Sequence, residues 1–298
     1  MEGNNKILVT VVTYNRLNDL KECINALKQQ SYDDLDILVV NNGSSDGTEE
    51  WLEEQQGLFC IHQENLGGAG GFYAGMKYMM DHDYGWILMM DDDGIPDQNE
   101  VRNIRESYDE IAETMHKEVI LNALVVCKDD HQHTAFGWAR GSHRSNLVCE
   151  LKKKRYFNDI HPYNGTLIRR SIIEKIGLVK KEMFIWGDEK EYMARAVHYG
   201  IGLYTVTSAI HYHPKEKGMR VGVFPFLAKP KILIKPKKMS HYYYRNEGFI
   251  YQTYPEKRKK MWIFFIAYCL RFTLRLDIRE LVKFIKYFNR GRKNNYEE

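Results

Sequence analysis

The sequence predicts an α/β fold with a mostly parallel central sheet, followed by a basic C-terminal region with helices. Three observations carry that prediction. Short β-branched runs alternate with helical periodicity from residue 7 onward. Residues 86–90 (WILMM) are apolar throughout, as a strand covered on both faces must be. The charge is also divided: residues 1–214 hold 22 Lys and Arg against 33 Asp and Glu, whereas residues 215–298 hold 21 against 7. The division predicts two regions with different tasks, over 1–214 and 215–298.

Residues 7–12 (ILVTVV) form the first expected strand, ended by the polar turn Thr13-Tyr14-Asn15-Arg16. Leu17, Leu20, Ile24 and Leu27 then recur at helical spacing, with Asn18 as the expected N-cap. Residues 35–40 (LDILVV) are the second strand, and Thr48 opens a short helix after the turn that follows. A third strand covers 59–62, and the glycines of 67–71 are expected to turn the chain into a helix over 73–80. Beyond the apolar fourth strand come a polar helix from 97 to about 117 and a strand over 119–127. Residues 129–157 read as loops and hairpins. Regular structure resumes with a strand at 166–168, helices at 171–176 and 188–199, and a strand at 203–206. Pro225, Pro230 and Pro236 mark a basic connector to the helical tail.

With 44% apolar and 28% charged residues among 298, the chain has the composition of a globular protein with a sizeable core. Five cysteines without CxxC spacing argue against a disulfide framework or a zinc knuckle and suit a reducing cytosol. The first residues do not read as a signal peptide. The longest apolar run, 261–270, is too short to cross a bilayer.

In an open α/β sheet, ligands sit outside the carboxyl ends of the strands. Four such ends carry Thr13-Tyr14-Asn15-Arg16, Asn41-Asn42-Gly43-Ser44, Asn65-Leu66-Gly67-Gly68 and Asp91-Asp92-Asp93. The first three offer donors suited to a nucleoside and its phosphates. The carboxylates of the fourth repel phosphate unless a divalent cation, Mg²⁺ or Mn²⁺, lies between them. Three consecutive Asp at the end of a buried strand also repel one another, so a positive partner is expected; the alternative is a solvated acidic turn. The GGAGG run at 67–71 reads either as a tight turn or as a helix N-terminus that favours a phosphate. Asp188 and Glu189 follow an aromatic-rich segment at a helix start. They are either partners of the helix dipole or a general base that deprotonates an attacking hydroxyl. Trp186 and Gly187 beside them are acceptor-binding candidates. His211 and His213 follow a strand-like run, and either one beside an acidic site can complete a metal's ligand set.

Taken in order, VVTYNR, VVNNGSSDGT, ENLGGAGGF, MMDDDGIP, FIWGDEKEY and the histidine at 213 resemble glycosyltransferase family 2 across roughly residues 6–214. The NLGGAGGF and WGDE variants look most like bacterial galactofuranosyl- and rhamnosyltransferases of surface-polysaccharide synthesis. The resemblance implies a GT-A fold and inverting, metal-dependent transfer from a nucleoside-diphosphate sugar, with a UDP-linked hexose favoured. Galactofuranose is the first expectation and rhamnose the next, with a hydroxyl of a lipid-linked or polysaccharide acceptor as the target. It further implies that the turn at Thr13, Tyr14, Asn15 and Arg16 faces the base and ribose together with Asn41. Asp91 and Asp93 would be the cation-holding ends of a DXD motif. Asp92 would lie near the sugar or ribose, His213 would be a further ligand, and Glu189 would stand at the family's base position with Asp188 beside it.

In the tail, Arg271, Arg275, Arg279, Lys283, Lys286 and Arg290 recur every three or four residues, which predicts one cationic stripe along a helix. Lys257-Arg258-Lys259-Lys260 precedes the apolar MWIFFIAYCL. This pattern suits peripheral contact with an anionic membrane, at the cytoplasmic face; packing on the catalytic domain and a dimer contact are the alternatives. No nucleic-acid-binding motif accompanies the charge, so no nucleic acid is expected. Because no candidate site residue lies beyond His213, nucleotide binding is expected to survive loss of the tail. Two rival functions remain. A sugar-nucleotide nucleotidyltransferase needs a Gly-rich, Lys- or Arg-bearing loop near the first strand, where TYNR stands. A non-catalytic sugar-nucleotide or glycan-binding protein has no need of Asp91, Asp93 and Glu189 together.

Overall fold

The computed structural model describes residues 4–138, 145–215, 219–227 and 229–297. The chain forms two compact units: Met1–Lys181 with Ala196–Glu216, and Glu182–Arg195 with Lys217–Glu298.

In the first unit, β1 (Ile7–Thr13) is buried along its whole length. It is followed by α1 (Leu17–Leu27), which buries Leu20, Cys23, Ile24 and Leu27 at helical spacing. Asn18 does not cap this helix. The helix begins one residue earlier, and Asp46 Oδ2 accepts the Leu17 N–H at 2.9 Å from a different loop. β2 (Leu35–Asn41), α2 (Thr48–Glu53) and β3 (Leu58–His62) continue the alternation.

The glycine-rich run is not a turn ahead of a helix, for α3 (Gly67–Asp81) already includes it. Clearance explains the glycines. A Cβ on Gly71 would lie 2.4 Å from Val12 Cγ1, and one on Gly75 would lie 2.3 Å from Thr10 Cγ2. Bare helix backbone therefore packs directly on β1, and that contact outweighs glycine's poor helix propensity.

β4 (Trp86–Asp91), apolar up to Asp91, is central, flanked by β1 and by a later strand. After β5 (Ile95–Pro96), α4 (Glu100–Met115) and β6 (Val119–Cys127), the region read as loops contains α5 (Val148–Leu151) and β7 (Tyr156–Phe157). β8 (Asn164–Arg169), α6 (Arg170–Ile176) and β9 (Gly202–His213) follow in this unit, while α7 (Asp188–His198), which precedes β9 in the chain, begins in the second unit. β9 runs seven residues past its expected end because it pairs with all of β6, across a register shift at Ala123/Leu124. The sheet order is β3-β2-β1-β4-β8-β6-β9-β5, with β7 on β9. Most of its residue pairings are parallel, with β8 the antiparallel insertion between β4 and β6. One core of β1, β2, β4, β6, α1 and α4 side chains fills one face of this sheet.

In the second unit, the basic connector forms a hairpin of β10 (Met219–Gly222) and β11 (Lys231–Ile234). It leads to α8 (Ser240–Thr253), α9 (Pro255–Arg258), α10 (Met261–Leu274) and α11 (Ile278–Arg292). Tyr243, Tyr244, Tyr268, Phe272, Phe284 and Phe288 give this unit an aromatic core of its own. The expected single helix with one cationic stripe is instead two. Leu276 adopts φ 54°, and Asp277 caps α11 by accepting the Glu280 N–H. Arg271 therefore lies on α10 and Arg279 on α11. All five cysteines are free.

Candidate active site

Parallel register brings the expected strand ends level: Thr13 stands opposite Asn41, Asn41 opposite His62, and Val12 opposite Asp91. Asn15, at φ 53°, ties the first two loops together. Its N–H donates to Ser44 Oγ at 2.9 Å, and its Oδ1 accepts the Ser45 N–H at 2.7 Å. Tyr14 projects outward and is exposed. Asn41 Oδ1 accepts the Ser44 N–H, and its Nδ2 lies 3.3 Å from His62 Nδ1. Asn42 is buried, with both ends of its amide engaged by Gly67 O and Gln63 Nε2. Asn65 Oδ1 accepts the Gly67 N–H, so Asn42 and Asn65 together shape the start of α3 at Gly67 and Gly68. Asp46 and Ser45 were not expected here. Each acts across a loop rather than along an element, which sequence periodicity does not report.

At the end of β4, Asp92 is buried and accepts from Thr13 Oγ1 at 2.7 Å. Arg16 Nη1 lies 3.2 Å from Asp92 Oδ1 and 2.6 Å from Asp93 Oδ2. His213 Nε2 lies 3.1 Å from Asp93 Oδ1. His211, two residues earlier, is sealed against Glu100 at 3.0 Å, with both side chains fully buried. A Cβ on Gly94 would strike His211, and one on Gly165 would strike Glu100, so bare backbone closes around that pair. Of the two histidines, His213 is the one at the Asp cluster.

The electrostatics of the three Asp differ. Burial, then the charges of Asp93 and Asp92, push the Asp91 carboxyl up to about 8. Burial pushes Asp92 up to about 6 against the Thr13 hydrogen bond. Burial also opposes ionisation of Asp93, but His213 and Arg16 outweigh it and hold that carboxyl at about 2. His213 is raised in turn, since its bond to Asp93 overcomes the effect of burial. Among the described residues, no three His, Cys, Asp or Glu are gathered closely enough to hold a metal by themselves. The cluster still fits a hard, oxygen-preferring cation that takes a few protein ligands here and completes its shell with phosphate and water. Burial and the neighbouring carboxylates, which raise Asp91, are what a cation there would offset.

Beside His213 lies an aromatic group that sequence reading left within loops. Phe136 is 4.7 Å from the His213 ring and 5.3 Å from that of His161, while Trp138 stacks on His161 at 4.2 Å. Burial pushes His161 down to about 4, so it is neutral at physiological pH.

Asp188 and Glu189 belong to the second unit. Asp188 is buried. Glu189 is half-buried, and its Oε2 accepts the Gly187 N–H at 3.0 Å. The preceding turn is strained, with Phe184 at φ 65° and Trp186 at φ 59°, non-glycine residues in left-handed conformation. Asn246 of α8 holds it: Nδ2 reaches the carbonyls of Met183, Ile185 and Trp186 at 2.9, 3.0 and 3.1 Å. Arg245 adds a bond to Glu182 O, Glu247 pairs with Lys190 at 2.6 Å, and Tyr254 donates to Glu191. The tail is therefore not separable from every candidate site residue, since α8 builds the turn that carries Trp186, Gly187, Asp188 and Glu189.

Residues 8–177 match the model for glycosyl transferase family 2. The chain belongs to that family. It is 30% identical over 217 residues to the galactofuranosyltransferase GlfT1 of Mycolicibacterium smegmatis, covering 70% of each chain. In three dimensions this family 2 glycosyltransferase resembles S. aureus TarS 1-349 in complex with UDP-GlcNAc, with a TM-score of 0.58 at 13% identity, over 96% of this chain and 81% of that one. It also resembles the mannosyltransferase PcManGT from Pyrobaculum calidifontis in complex with GDP-Man and Mn²⁺, with a TM-score of 0.52 at 14% identity, over 99% and 88% of the two chains. These neighbours establish the GT-A-like fold.

Proposed function

We propose that this glycosyltransferase transfers a hexose, with inversion, from a UDP-sugar to a hydroxyl of a lipid-linked or polysaccharide acceptor. Galactofuranose is the favoured sugar, in keeping with the GlfT1 relative, and rhamnose comes next. The observation that carries the reading is the row of strand ends: loops rich in amide and hydroxyl groups on β1 and β2, level with Asp91–Asp93 and His213 on β4 and β9. A nucleoside suits the first set. A diphosphate suits the second only with a cation between, and Asp91, Asp93 and His213 are the residues that would hold Mn²⁺ or Mg²⁺. When bound, the cation supplies Lewis-acid stabilisation of the departing diphosphate.

The protein's own groups do the rest. Thr13 and Arg16 fix Asp92 and Asp93, so the donor meets carboxylates already oriented. Asn41 and the Asn15 loop bind base and ribose. Glu189 accepts the proton of the acceptor hydroxyl as that oxygen attacks the anomeric carbon opposite the leaving diphosphate. Its accessible carboxylate favours it over buried Asp188. Trp186 and Gly187 adjoin the acceptor.

Thermal-shift titration tests the donor half. UDP should stabilise the protein with Mn²⁺ and much less in EDTA. Equal stabilisation in both would overturn the cation-bridged reading.

A further inference from the structure

We propose that the outer face of α10 and α11 docks on an anionic phospholipid bilayer, a reading independent of the transfer chemistry. α10 buries Met261, Tyr268 and Phe272 in the aromatic core of its unit and leaves Trp262, Ile263, Ile266, Leu270 and Leu274 exposed. Four of these lie four residues apart and form one strip along the helix; Trp262 is 56% and Ile263 70% exposed. The strip continues through Leu276, 83% exposed in the turn, to Ile278, Val282 and Ile285 on α11. So many large apolar side chains in succession exceed the scattered exposure normal on a soluble surface.

The charge around the strip selects the occupant. Arg258, Lys259 and Lys260 are exposed just before α10, and Arg275, Arg279 and Lys286 are exposed beside the strip in the turn and on α11. α10 carries no acid, and the single acid of α11, Glu280, is buried against Ser240 and Tyr244. Around α11 the order is core face (Phe284, Phe288), apolar strip, then cations, the arrangement of a helix lying in a membrane interface. In a two-fold dimer this patch would meet its own copy and bring like charges together, whereas anionic headgroups match the cations as the acyl boundary takes the apolar strip. No described helix is long and apolar enough to cross the bilayer, and α10 extends only about 21 Å, so the contact is interfacial.

Vesicle flotation of the full chain tests the proposal. The chain should float with phosphatidylcholine vesicles containing phosphatidylglycerol and less with phosphatidylcholine alone, and binding should weaken as salt rises. Ile263→Glu/Ile266→Glu changes exposed positions only and should cut binding about tenfold or more at every salt concentration. Arg279→Gln/Lys286→Gln should weaken it about fivefold per cation and only for anionic vesicles. Unchanged circular dichroism and melting would show both variants folded. Absence of binding to anionic vesicles overturns the proposal. So does a double-Glu variant that turns a dimer into a monomer in sedimentation equilibrium while vesicle binding stays unchanged.

Discussion

Replacing Asn246 by alanine should slow turnover more than it weakens donor binding, although Asn246 lies 57 residues along the chain from Glu189. The amide spans three carbonyls of the 183–186 turn, and its loss leaves all three without that donor. At about 1 kcal/mol net per bond, and up to ~3 for a buried group left unsatisfied, the variant should lose about 2–4 kcal/mol of stability. Phe184 and Trp186 then lose what holds them at positive φ, a conformation costing roughly 1–3 kcal/mol each, and the turn relaxes. Glu189 follows, since its carboxylate is seated on the Gly187 N–H. A shift of about 1 Å in a reacting group costs on the order of 100-fold in rate. The assay is steady-state kinetics below the melting temperature, with Asn246→Asp as a second variant that keeps the size and removes both donors. Both should lower kcat with donor KM within a few-fold of the parent. A variant with a lower melting temperature but parental kcat would refute the link between the strained turn and the base.

Glu189→Gln should lower kcat by roughly 10²–10⁴ with little change in donor affinity, and a crippled Asp188→Asn beside an active Glu189→Gln would move the base by one residue. Asp93→Ala should remove the Mn²⁺-dependent part of UDP binding in a calorimetric titration, because it deletes the carboxylate shared by Arg16 and His213. The metal-free protein should have a definite pH profile. Asp93, depressed to about 2, contributes stability above about pH 4 that is lost as pH falls towards 2. His213, raised, contributes fully below about 6.5 and loses it as pH climbs through its elevated value. Asp91, raised to about 8, opposes folding increasingly above about pH 4, up to and through 8. Melting temperature should therefore fall from about pH 6.5 to 8.5, and Mn²⁺ should flatten the fall; a metal-independent profile would contradict it.

The first half of the sheet was readable because each strand is an apolar run whose burial dictates its composition. What escaped depends on partners distant in sequence. Asn18 looked like the cap of α1 by residue type, yet Asp46 performs that role from the next loop. The glycines of α3 looked like a turn because propensity is local, whereas their reason is the surface of β1 at Thr10 and Val12. The break at Leu276 was hidden because four-residue spacing of cations carries on across it. His211 and His213 were equivalent on paper, and Glu100, 111 residues from His211, separates their roles. Of the candidate site, the Asp cluster and the loops of Thr13 and Asn41 were legible as motifs at strand ends. The support of Asp188 and Glu189 by Arg245, Asn246 and Glu247 was not, for polar residues inside a tyrosine-rich helix leave no periodic signal.

Nucleotide release gives a direct readout of nucleotide-sugar transfer. The purified chain, with Mn²⁺ and anionic vesicles carrying a lipid-linked glycan acceptor, would be offered UDP-galactofuranose, dTDP-rhamnose and other nucleoside-diphosphate sugars in turn. Acceptor-dependent release of UDP is expected, fastest from UDP-galactofuranose and abolished by Asp93→Ala. Pyrophosphate release from a nucleoside triphosphate and a sugar phosphate, with no nucleoside diphosphate released from any donor, would contradict it and assign the same fold to nucleotidyl transfer.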